Sequence, residues 1–173
     1  MQALIKRALL VTALLPGMSV AAPLQRPASA DDIAAAVGDC WTAVGPNTVE
    51  RAKLEARGWK AGSPSSSDGK PSISPIIFYG KTGSNIVIML GGPPGNPPMC
   101  TVLSSVASLQ EINKAAGSVQ RTLLAFDPKV TAARSGGSIV FISLPRIAML
   151  DPTGTKDKPA TRITVGYQTP EKK

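Results

Sequence analysis

Apolar positions in this chain keep two different periods, and the change from one to the other marks its elements. Ile33, Val37, Cys40, Trp41 and Val44 recur at helical spacing, with Asp31 and Asp32 ahead of them as cap and first-turn charge. They predict a first helix buried along one stripe. Asn47 followed three residues later by Glu50 resembles a capping box, so a second helix is expected over residues 48–57, stopped by Gly58, with Trp59 folding back onto it. Ser108 and Glu111 make another such box ahead of Leu109, Ile112, Ala115 and Ala116, and Gly117 reads as the stop of a short third helix.

Between these stretches lie β-branched and aromatic runs. Residues 75–79 and 85–90 flank Gly80-Lys81-Thr82-Gly83-Ser84 and read as a hairpin with a longer turn. Residues 99–106, 138–144 and 161–167 read as three more strands. Loops are expected at 61–75, which contains Asp68-Gly69, at 91–98, which holds three Gly and four Pro, and at 151–159; residues 134–137 read as a turn. The order is two helices, three strands, a helix and two strands, joined by short turns. It predicts an α+β domain with a mainly antiparallel sheet of about five strands, the two N-terminal helices and the internal helix packed on one face. No repeat is evident in the sequence.

Residues 1–21 have the form of a cleaved signal peptide: Lys6 and Arg7, then an apolar run broken by Pro16-Gly17, then small residues ending at Ala21. The run is too short to cross a bilayer, so no transmembrane anchor is expected after processing, and a periplasmic or secreted protein follows. Residues 22–30 then read as a Pro- and Ala-rich flexible leader, 31–168 as a single domain and 169–173 as a polar tail.

Composition narrows the chemistry. The 173 residues are 43% hydrophobic and 17% charged, enough for one packed domain and too apolar for disorder throughout. His is absent, which removes Ser-His-Asp triads, Cys-His dyads, His-ligated zinc and histidine switches. Cleavage after Ala21 leaves 17 basic against 11 acidic residues, a net +6. An exported basic protein meets anionic partners, and Lys53, Arg57, Lys60, Arg134, Arg146 and Arg162 are the residues from which an anion-binding surface would be built. Expected partners are an envelope protein, an anionic envelope polymer or a glycolipid. Nucleic acid is not expected, because no basic stripe or reading motif is visible.

Cys40 and Cys100 are the two cysteines, and in an oxidising compartment their pairing is a structural disulfide. Two Cys without His form no metal site, and no cofactor motif is present, so neither a metal nor a cofactor is expected. Ser67-Asp68-Gly69-Lys70 and Lys81-Thr82-Gly83 resemble short motifs of the penicillin-binding proteins and serine β-lactamases, which are also exported. In that family the Ser begins a buried helix, and here it sits in a Pro- and Ser-rich loop. Asp151-Pro152-Thr153-Gly154-Thr155 resembles the phosphorylation sequence of P-type transport ATPases with Pro in place of Lys, and export removes the ATP it would need. Trp41, Trp59, Phe78 and Tyr79 are candidates for a ligand groove, with core packing as the commoner fate of aromatic residues on apolar stripes. The sequence therefore points to an exported, disulfide-stapled, non-catalytic binding or accessory domain. The alternative is a small exported hydrolase using Ser-Lys or paired carboxylates.

Overall fold

The computed structural model describes residues 26–62, 76–91 and 97–168. Residues 1–25, 63–75, 92–96 and 169–173 lie outside this set, and with them the expected signal peptide, its expected cleavage after Ala21, the Ser67-x-x-Lys70 motif and the expected polar tail. Helix α1 spans Ala30–Ala43. Its N-cap is Ser29, two residues before Asp31 and three before Asp32: the Ser29 hydroxyl accepts from the Asp32 amide and donates to Asp32 Oδ2 at 2.6 Å. Asp31 and Asp32 instead sit in the first turn, where their charge complements the helix dipole. Where the sequence suggests a spacer, Ala28 donates to Ser105 O and the Asn85 side chain donates to Arg26 O.

Helix α2 is only Arg51–Ala56, because Val49 is taken by a bridge to Val44 and Glu50 turns its carboxylate to Lys53 instead of capping. Helix α3 spans Leu109–Phe126 and runs straight through Gly117. The cost of a mid-helix glycine is about 1 kcal/mol. Beyond it Val119 and Leu123 extend the buried stripe of Ile112, Ala115 and Ala116, and burying those two side chains outweighs that cost.

One antiparallel sheet holds eight strands: β1 Lys60–Gly62, β2 Ile77–Gly80, β3 Val87–Leu90, β4 Met99–Ser105, β5 Thr131–Ser135, β6 Ser138–Ser143, β7 Arg146–Gly154 and β8 Pro159–Tyr167. The α+β class and antiparallel pairing agree with the sequence, whereas the strand count does not: β1, β5 and β7 are additional. Neither β1 nor β5 buries a single residue, so neither carries an apolar alternation to detect. In β7, Asp151 and Pro152 disguise a strand. β6 pairs with β7 only up to Leu150, so Pro152 faces no neighbour on that side and its missing N–H leaves nothing unpaired. The expected loop over 151–159 shrinks to residues 155–158. Gly154 enters that turn at φ 78°, and a Cβ there would lie 2.2 Å from Lys158 O.

The strand order β1-β2-β3-β4-β8-β7-β6-β5 reveals a repeat of architecture that the residues do not show. A helix followed by a four-strand meander occurs twice, and the halves join where β4 pairs antiparallel with β8. The two repeat helices, α1 and α3, pack on each other, closely at Gly38, where a Cβ would meet Phe126 at 3.0 Å and Thr122 at 3.1 Å. Both lie against one face of the sheet, while α2 packs on α1. The core between helices and sheet contains Ile33, Val37, Leu54, Ile88, Val102, Val119, Leu123, Phe141, Leu150 and Ile163. Within it Cys40 of α1 and Cys100 of β4 form a disulfide, with Cα atoms 5.6 Å apart and both residues fully buried.

Candidate functional site: the uncovered face of the sheet

Side chains alternate across a sheet, so the register fixes what lies opposite the helices. One cross-strand row on that side runs Phe78, Met89, Thr101, Thr164, Met149, Val140. The next runs Lys60, Gly80, Val87, Leu103, Arg162, Asp151. Ile147 and Ile142 pair in a third. Three helices are described, and the two that meet the sheet both lie on the other side. Large apolar side chains consequently remain part-exposed here, with Val87 at 37% and Met149 at 39%. Two polar contacts cross the middle: the Thr101 and Thr164 hydroxyls are 3.2 Å apart, and Arg162 Nη2 lies 3.0 Å from Asp151 Oδ2. Ser138 Oγ donates to the other oxygen of Asp151 at 2.5 Å, which completes the demand of a carboxylate that is mostly buried.

A groove of about 670 Å³ opens on this face. Phe78, Val87 and Leu103 form its apolar side, and Asn85, Ser105, Thr153 and Ala160 close its end. Gly62, the cross-strand partner of Phe78, leaves the floor beside it at backbone level. Ser104 and Thr161 seal the groove from behind by bonding to each other at 2.7 Å. Of the four aromatic residues considered from sequence, Trp41, Trp59 and Tyr79 are core, and Phe78 alone reaches the groove. Burial raises the Tyr79 phenol above its ordinary pKa, with Arg51 opposing and Glu55 adding to the shift.

The six candidate basic residues divide among several places. Lys60 and Arg162 share the second row of the uncovered face, and among the described residues no ion pair holds Lys60. Lys53 and Arg146 share a cleft with Asp127 and Ser143, but Lys53 is bound to Glu50 and Thr42 O, and Arg146 to Val44 O and the Tyr167 ring. Arg57 lies 3.7 Å from Asp39, and Arg134 sits on edge strand β5 beside Asn113. Asp127 accepts from the Ser143 hydroxyl and the Lys129 amide, which together hold its carboxyl below the ordinary value.

Asp32 and Asp39 both line a smaller polar cleft of about 250 Å³ with Trp59 and Lys81. Both carboxylates are engaged, Asp32 by Ser29 and Asp39 by Trp59 Nε1 at 2.9 Å and by Arg57, while Lys81 lies over the Trp59 ring. Lys81-Thr82-Gly83 belongs to the β2–β3 turn, and Asp151 to Gly154 of the ATPase-like run belong to β7. Among the described residues no group of three or more Cys, Asp or Glu could hold a metal ion, and no helix is long and apolar enough to cross a membrane. No family model matches the chain, and searches of curated proteins and of solved structures return no match.

Sequence reasoning missed the groove. Its signal was present in β3 and β4, where Val87 alternates with Ile88 and Leu103 with Val102, leaving apolar residues on both faces where a one-sided strand would place polar ones.

Proposed function

We propose that the protein is an exported binding domain that acts without catalysis and takes an apolar ligand on the uncovered face of its sheet. The observation that carries this reading is the groove lined by Phe78, Val87 and Leu103, which none of the described helices covers. Its volume falls within the roughly 300–1,000 Å³ of small-molecule sites. Export is supported by the N-terminal charge and hydropathy pattern and by the disulfide, which persists in an oxidising compartment. The staple and the helix-covered core hold the sheet rigid, so the groove is preformed.

Titration of the mature protein with the neutral apolar fluorophore N-phenyl-1-naphthylamine tests the reading. Saturable fluorescence enhancement is expected. Val87→Glu, which sets a charge in the groove, should weaken binding about tenfold or more, whereas Asp32→Asn in the Trp59 cleft leaves it unchanged. Absence of binding, or equal binding by the Val87→Glu variant, overturns the proposal.

A further inference from the structure

We infer that the ligand is a free, single-chain anionic amphiphile, its acyl chain lying over Leu103, Val87 and Phe78 and its anionic head at the β7–β8 turn. This rests on the groove being the binding site. The argument comes from how charge is distributed around it.

Nine acidic residues are described, and seven belong to the helices or their flanks: Asp31, Asp32, Asp39, Glu50, Glu55, Glu111 and Asp127. Only Asp151 and Asp157 lie on the strands opposite or in their turns. Asp151 is already committed to Arg162 and Ser138. Thr153 and Ala160, which close the groove, pair with each other, and the next pair, Gly154 and Pro159, leads into the turn carrying Lys156 and Lys158, both exposed. Neither lysine has an ion-pair partner among the described residues. Arg162 is the cross-strand neighbour of Leu103, and the Arg26 backbone is held by Asn85 at the same end. An apolar trough thus opens at one end beside the turn of Lys156 and Lys158, where Asp157 is the acid between them, while Arg162 is neutralised by Asp151 and Asp32 lies beyond Asn85 on the helix side. Asn85, Ser105 and Thr153 supply hydrogen-bonding groups at that end.

A chain lying across β8, β4, β3 and β2 would traverse about 14 Å at the usual strand spacing. An anionic head set against Lys156 and Lys158 gains charge-assisted hydrogen bonds, whereas a cationic head meets like charge. A second copy of this basic chain would bring the same cations face to face, which disfavours self-association on this surface.

Competition against N-phenyl-1-naphthylamine below micellar concentrations, using laurate, dodecanol and dodecyltrimethylammonium, provides the test. Laurate should displace the probe at about tenfold lower concentration than dodecanol, equivalent to about 1.4 kcal/mol, and dodecyltrimethylammonium should be weakest. In the double variant Lys156→Gln/Lys158→Gln the preference for laurate should fall to about threefold or less, with probe affinity unchanged. Added salt should weaken laurate and leave dodecanol unaffected. Equal displacement by laurate and dodecanol overturns the inference while leaving the groove intact as a site. Failure of the probe itself to bind overturns the proposed function, and this inference with it. If laurate shows no preference and the double variant loses only co-sedimentation with phosphatidylglycerol vesicles, the cations serve a membrane surface and the inference is wrong.

Discussion

On β8, Ile163 and Val165 enter the core beneath α1 and α3, while Arg162 and Thr164 stand on the opposite side of the same strand. The two faces are made by one alternation, yet they differ in what they can do. The covered face is saturated: its side chains are at or near complete burial, and the disulfide fastens the helix layer to β4. The uncovered face keeps Val87 and Met149 more than a third exposed, although β-branched and sulfur-containing side chains gain by leaving water. Stability resides on one side, and unspent apolar surface, available for recognition, on the other.

The comparison is broken most severely through the staple. Replacing both Cys40 and Cys100 with Ala should destabilise the domain by about 4 kcal/mol in the chain-entropy treatment of a loop of this size, read by urea unfolding. A smaller effect sharpens the contrast between faces. Ile163→Ala, in the covered core, should cost about 3 kcal/mol, and Ile147→Ala, opposite, only about 1 kcal/mol; equal costs would mean that both faces are packed alike. Gly154→Ala should cost about 2 kcal/mol, because the new Cβ meets the Lys158 carbonyl in a left-handed backbone conformation. It would also displace the basic turn at the end of the groove.

The smallest effect is a pH dependence at the helix layer. Ser143 and, secondarily, Lys129 hold the Asp127 carboxyl below its ordinary 3.8. A depressed carboxyl contributes stability that is complete above its unfolded value and lost as the pH falls through the lower folded value. Asp127→Asn should therefore lower Tm slightly at pH 6, and the two proteins should converge in acid, below both values.

Helix α1, the hairpin β2–β3 and strands β4, β6 and β8 were legible because each buries a regular stripe or run. The Cys40–Cys100 pair was legible from the count of two and the expectation of export. The ends of α2 and α3 were not, since the Val44–Val49 bridge and the packing of Val119 and Leu123 are tertiary effects that override local capping and glycine signals. Strands β1 and β5 have no buried side to betray them, and β7 hides a proline where its neighbour stops. The apolar residues on both faces of β3 and β4 were visible in the sequence, but the groove they form was not. Individual apolar residues such as Val87 and Leu103 read as core, and only the register sets them on the side that the helices leave bare. The repeated helix-and-meander unit likewise lives in strand order and leaves no periodic residues behind.

Methyl-resolved NMR during titration with N-phenyl-1-naphthylamine addresses the two-faced account most directly. Resonances of Val87 and Leu103 should shift saturably, and those of Val102 and Ile163, one residue away on the covered side, should stay in place. Shifts confined to Val102 and Ile163, or spread evenly over both faces, would contradict it.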